Sequence, residues 1–135
     1  MHQVLFIDQD PNLITNFSSL LDPARYDILD ASTFEMAEAA LHQQRFELVL
    51  ADLNIEGDRG LDLIRLCNEH QPAAVVVSLG EKTSIETLVS LMHLGVYDFI
   101  EKPVRPTDFQ QAVEHALGAG NFTSGNSSQV RPQFH

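Results

Sequence analysis

Tryptophan is absent, cysteine occurs once, and bases are scarce: the 135 residues hold eight Lys plus Arg against 19 Asp plus Glu. A single thiol, Cys67, makes no intrachain disulfide, so no cystine framework supports the fold. The net charge of −11 repels phosphate backbones and anionic bilayers, which argues against direct contact with nucleic acid. No apolar run approaches the ~18 residues that span a bilayer, so no membrane association is expected. The opening MHQVLFIDQD lacks the basic region, long apolar stretch and cleavage site of a secretory signal, and a cytoplasmic location is the expectation. The six histidines are scattered without metal-type spacing, which gives a histidine zinc site little support.

What the chain does have is 44% apolar residues, enough for one domain with a real core. All 19 acids and seven of the eight bases lie in residues 1–117, so the acidity belongs to the domain. From residue 118 the composition turns to GAGNFTSGNSSQVRPQFH, which reads as a flexible linker or tail over 118–135. With such a tail, the expectation is an amino-terminal piece of a longer chain rather than a single-domain protein.

Within 1–117, short Val/Ile/Leu-rich runs alternate with helix-period stretches, the pattern of a parallel sheet covered on both faces. The strands are expected at Gln3–Ile7, Tyr26–Leu29, Leu48–Ala51, Ala74–Leu79 and Tyr97–Ile100. Helices are expected near 11–21, 33–44, 60–70, 84–94 and 107–117. Asp10 can cap the first helix ahead of Pro11, Ser32 with Glu35 forms a capping-box pattern for the second, and Thr107 or Asp108 can cap the last, which Gly118 would stop. The fold class is α/β, doubly wound, with five strands and five helices.

Ligands in such sheets bind at the carboxyl ends of the strands, near the topological switch point. Asp8-Gln9-Asp10 follows the first strand, Asp52 the third, Ser78 the fourth and Lys102-Pro103 the fifth. Asp8 and Asp52 with a loop carbonyl suit Mg²⁺, a hard cation that prefers oxygen. Lys102 and the Ser78 hydroxyl suit phosphoryl oxygens, which leaves Asp52 as a carboxylate nucleophile in phosphoryl transfer. Each of these residues also has an ordinary turn or surface reading when taken alone; four complementary types at four different strand ends favour the joint one.

In these segments, VLFIDQDPNL, VLADLNIEGDRGLDLI, VVVSLG and GVYDFIEKPV, the chain resembles the receiver domains of two-component response regulators over residues 3 to about 117. The resemblance implies the strand order 2-1-3-4-5, a flavodoxin-like arrangement. It implies phosphorylation of Asp52 by a histidine kinase or phosphotransfer protein with Mg²⁺, and no enzymatic turnover beyond loss of the phosphoryl group. By position, Asp8 matches an acidic-pocket residue, Asn54 the backbone carbonyl ligand of the metal, Ser78 the Ser/Thr switch, Phe99 the aromatic switch and Lys102 the phosphate-sensing lysine. Gly60 matches the glycine closing the loop after the phosphoacceptor. These roles require Asp52 to be reachable from solvent and to face Lys102.

Gln9 departs from the family, whose receivers usually carry a second acid there as a direct metal ligand. The site loses one formal charge, so Mg²⁺ binding should be weakened, with the Gln9 amide oxygen a doubtful ligand. That departure keeps a second expectation open, a receiver-like module that docks or dimerises without phosphate. A third, remote one comes from FIDQD, which also resembles the start of haloacid-dehalogenase-type phosphatases, with Asp8 as nucleophile and Asp10 as acid/base. A flavodoxin-like cofactor binder needs a phosphate loop that DQDPN does not offer.

In a receiver, the fourth helix, fifth strand and fifth helix would carry the switched surface to an output domain, an effector or a second copy. On a helical wheel, Ile85, Leu88, Val89 and Met92 form the core stripe of the fourth helix, which leaves Leu91 and Leu94 outside it as the expected interface.

Overall fold

The computed structural model describes residues 1–120 and 133–134, with side chains described to residue 118. Five strands, β1 (His2–Ile7), β2 (Tyr26–Ala31), β3 (Leu48–Asp52), β4 (Val75–Gly80) and β5 (Asp98–Glu101), run parallel in the order β2-β1-β3-β4-β5. Between and after them come α1 (Pro11–Ser18), α2 (Phe34–Gln43), α3 (Gly60–His70), α4 (Ile85–His93) and α5 (Pro106–Gly120). The expected five strands and five helices are all present. A two-residue β6 (Gln133–Phe134) pairs parallel with β5 at the sheet edge. Of the expected tail, 118–120 continue α5 and 133–134 make this strand; the other tail positions lie outside the described residues.

Side-chain alternation sorts each strand onto two faces. Val4, Phe6, Leu48, Leu50, Val77 and Leu79 pack with Ile14 of α1 and with Phe109, Ala112, Val113 and Ala116 of α5. Phe109 stacks on Phe6 with ring centroids 5.7 Å apart and meets Phe17 at 5.2 Å. Leu5, Ile7, Val49, Ala51 and Val76 face the other way, against Ala37 and Leu41 of α2, Leu63, Ile64 and Cys67 of α3, and Leu91 of α4. Both faces of β3 are therefore dry, and β2, at the edge, alternates between buried and exposed positions.

Helix starts follow local chemistry, with two corrections. Asp10 caps α1 by accepting the Asn12 N–H at 3.0 Å, ahead of Pro11. The cap of α2 is Thr33, whose hydroxyl accepts the Met36 N–H at 3.1 Å, one residue later than the Ser32–Glu35 pattern suggested. In α5 the helix begins at Pro106, which puts Thr107 and Asp108 inside its first turn, and it runs through Gly118 to Gly120. A glycine stops a helix only where the backbone turns left-handed, and Gly118 does not.

The largest correction concerns α4. Leu91 is fully buried and Leu94 packs against the core, whereas Ile85, Val89 and Met92 are 79, 41 and 53% exposed. The helix is apolar on both sides, so periodicity alone did not choose the phase. Docking does: Leu88, Leu91 and Leu94 face the sheet, and the Leu94 carbonyl accepts from Asn68 Nδ2 of α3 at 2.7 Å.

Among the described residues no helix is long and apolar enough to cross a membrane. Cys67 has no exposed surface, and burial pushes its thiol up to about 12. A thiol-specific disulfide reagent at pH 7.5 is therefore expected to leave Cys67 unmodified until urea unfolds the chain. Full modification within minutes under native conditions would contradict this packing.

Candidate functional site

The crossovers after β1 and β3 leave the sheet on opposite faces, and the crevice between these neighbouring strands is the switch point of the fold. Asp8 follows β1, Asp52 ends β3 and Lys102 follows β5, so three separate strands deliver the charged side chains to one place. Lys102 Nζ lies 2.9 Å from Asp8 Oδ2 and 3.5 Å from Asp52 Oδ1. The two carboxylates have no exposed surface, and the lysine side chain is 20% exposed above them. The Lys102–Pro103 peptide is cis.

Backbone donors complete the carboxylate shells. Asp8 Oδ1 accepts the Asp10 N–H at 2.9 Å, Asp52 Oδ1 the Asn54 N–H at 2.9 Å and Asp52 Oδ2 the Gln9 N–H at 3.3 Å. Burial raises the Asp8 carboxyl above the usual carboxylate range; the Asp10 N–H and the Lys102 ammonium oppose that rise, and the Asp52 charge adds to it. For Lys102, burial works against the charge, and the hydrogen bond to Asp8 with the charges of both carboxylates outweighs it, so the ammonium titrates above its ordinary value.

Asp52 thus faces Lys102 as required, but it is closed off from solvent, contrary to the reachable carboxylate that the sequence reading needed. The Lys102 ammonium and the Gln9 N–H lie against its two oxygens. Both sit at strand-end loops, which a sequence pattern does not place in three dimensions.

Gln9 is not turned into the acidic pocket. Its amide oxygen accepts the Glu56 N–H at 3.1 Å, which ties the β1–α1 loop to the β3–α3 loop. Glu56 Oε2 in turn accepts the Phe34 N–H of α2 at 2.8 Å, and Oε1 pairs with Arg59 Nη1 at 3.0 Å. The Arg59 guanidinium stacks 3.7 Å over the Phe34 ring. The Phe34 N–H and then Arg59 hold the Glu56 carboxyl below its usual range. Glu56 adopts φ 47° and Gly57 φ 86°, and a Cβ on Gly60 would run into the Leu53 carbonyl, so the loop closes tightly only with glycine there. Glu56 and Arg59 were missed in the sequence; their i, i+3 spacing was the available signal.

Ser78 is corrected as well. Its hydroxyl donates to the Ala51 carbonyl at 3.1 Å, fully buried, and its register partner is Ala51. The strand continues two residues further, and the position facing the Asp52 loop is Gly80. A Cβ built there would lie 3.1 Å from Asn54 Oδ1 and 3.2 Å from the Phe99 ring. Phe99 is 3% exposed and already fills the space beside Gly80.

The donor set for a hard divalent cation consists of Asp8 and Asp52. The Asn54 carbonyl accepts the Gly57 N–H at 3.2 Å and keeps a second lone pair. Two buried carboxylates against one ammonium leave a net negative charge, which fits a cation weakly. Among the described residues no group of three or more His, Cys, Asp or Glu is arranged to hold a metal.

Because the folded state raises Asp8, it binds a proton more readily than the unfolded chain, and stability falls as pH rises from the ordinary carboxylate range through the raised value. Asp8→Asn is expected to stabilise the protein at pH 7 by about 1–2 kcal/mol, the scale of relieving an incompletely compensated buried charge. The gain should shrink towards pH 4; urea unfolding at both pH values checks it, and destabilisation at pH 7 would refute the charge assignment.

The model of the response regulator receiver domain matches residues 4–114. The alginate biosynthesis transcriptional regulatory protein AlgB of Pseudomonas aeruginosa is 28% identical over 122 residues, 90% of this chain, which spans only 27% of that relative. A CheY-like receiver domain protein from Methanospirillum hungatei, 21% identical, superposes with a TM-score of 0.85 over 92% of this chain and 99% of its own. The beryllofluoride-activated NtrC4 receiver domain dimer, 27% identical, gives 0.80 over 89% and 99%. With that match over most of its length, and with a lysine spanning two buried aspartates at the switch point of the sheet, the chain belongs to the response regulator receiver domain family.

Proposed function

We propose that this receiver accepts a phosphoryl group on Asp52 from a phosphohistidine of a sensor kinase or phosphotransfer protein. The observation that supports it is the Lys102 ammonium 3.5 Å from Asp52 Oδ1, a fixed cation beside the acceptor carboxylate. An Asp52 oxygen attacks phosphorus in line, the P–N bond breaks, and its electron pair leaves with the imidazole nitrogen. Lys102 follows the charge onto the phosphoryl oxygens. Asp8, Asp52 and the Asn54 carbonyl would hold Mg²⁺, which when bound supplies charge neutralisation for an incoming dianion. Burial of Asp52 means that the Lys102 side chain must swing aside before a donor reaches it. The module is a signalling switch rather than an enzyme: Asp10, the acid/base of a dehalogenase-type reading, is occupied in capping α1.

Two observations favour a second reading, docking without phosphate: Asp52 has no exposed surface, and the Gln9 amide oxygen is held by Glu56. Acetyl phosphate with 20 mM-scale Mg²⁺ separates the two. Label that is labile in both acid and base on wild type, and none on Asp52→Asn, is expected; no label on either leaves the docking module. Gln9→Asp, which adds a carboxylate beside the pocket, should tighten Mg²⁺ by about tenfold in a fluorescence or calorimetric titration, the scale of one added charge near the ion.

The output surface proposed for an effector, an output domain or a second copy is the exposed stripe Ile85, Val89 and Met92 of α4, replacing Leu91 and Leu94. An activated dimer in the NtrC4 receiver supports the second copy as one occupant. Met92→Glu should leave stability within about 0.5 kcal/mol and weaken association of the beryllofluoride-treated protein tenfold or more by sedimentation equilibrium.

A further inference from the structure

Resting on the acceptor reading of Asp52, the question is what carries its state to α4. Ser78 does not, because its hydroxyl is bonded to Ala51 inside the sheet. Position 80 has no side chain, and the space in front of it is filled by Leu53, Asn54 and Phe99. One residue touches both ends. The Asn54 N–H donates to Asp52 Oδ1 at 2.9 Å, and its side-chain Oδ1 accepts the Glu81 N–H at 2.8 Å. Three residues later Ser84 caps α4, its hydroxyl accepting the Thr87 N–H at 3.1 Å.

We propose that Asn54 is the positioning residue that relays the state of Asp52 to the β4–α4 loop, by bonding the acceptor carboxylate with its backbone and Glu81 with its side chain. Phosphorylation of an Asp52 oxygen turns the carboxylate into the carbonyl of a mixed anhydride, a weaker acceptor for the Asn54 N–H, and places phosphoryl oxygens beside it. The Asn54 backbone shifts to its new partner, and its amide oxygen moves with it. Glu81 follows or loses its bond, which re-sets the entry to α4 and with it the exposed Ile85, Val89 and Met92 face. The arrangement needs no hydroxyl at the end of β4. Neighbouring contacts brace rather than relay: the Leu53 N–H bond to the Leu79 carbonyl and the Lys102 N–H bond to the Gly80 carbonyl, both 2.7 Å, are backbone ties that hold β4 in register.

The test uses the full chain, ¹⁵N-labelled, with beryllofluoride and Mg²⁺, and compares amide shifts at matched occupancy read from the bound ¹⁹F signal. In the wild type, amides beside Asp52, Glu81 and residues 85–93 are expected to move. In Asn54→Ala, the amides beside Asp52 should still move while those of Glu81 and α4 shrink about fivefold, the scale of losing one coupling hydrogen bond. Asn54→Asp retains an acceptor for Glu81 and should restore most of the α4 response, which a merely structural role would not predict. If Asn54→Ala fails to fold, Asn54→Ser, too short to reach Glu81, takes its place. An undiminished α4 response in Asn54→Ala, or no recovery in Asn54→Asp, overturns the relay. Wild type that takes up neither beryllofluoride nor phosphoryl overturns the acceptor reading beneath it.

Discussion

The ion pair of one lysine with two buried aspartates is the constraint on which the rest of the molecule depends. Two carboxylates without solvent are tolerated only if a cation and backbone donors take up their charge, and both are supplied from different strands. The sheet order that puts β1 and β3 side by side, with β5 close enough for Lys102 to reach back, is therefore a condition of the site's existence. With two carboxylates against one ammonium, the pocket keeps an excess of negative charge.

Around this centre the loops hold one another. Gln9 grips Glu56, Glu56 grips the start of α2, and Arg59 lies on Phe34, so the loop after Asp52 is braced from two sides. Gln9 thus serves as a strut between the two loops rather than as a group turned into the pocket.

Much of this was legible beforehand. Alternating Val/Ile/Leu runs and 3.6-residue periodicity located all five strands and helices within a few residues, and the acids and lysine at strand ends located the pocket. What failed did so for identifiable reasons. α4 is apolar on two sides, so the phase that buries Leu91 and exposes Met92 came from docking on the sheet. Ser78 and Gly80 share a face of β4, and only the strand's true end at Gly80 shows which of them confronts Asn54.

Residue types and their spacing alone determined the class of chemistry: carboxylates and an ammonium at strand ends can only gather where strands end together. Tertiary structure decided which atoms meet. Hydrogen-bond partners such as Gln9 with Glu56 or Asn54 with Glu81 lie 47 and 27 positions apart in the chain, and no local pattern encodes them. Burial of Asp52 is likewise a property of packing, because a side chain's exposure depends on neighbours brought in from distant segments rather than on its own surroundings in sequence.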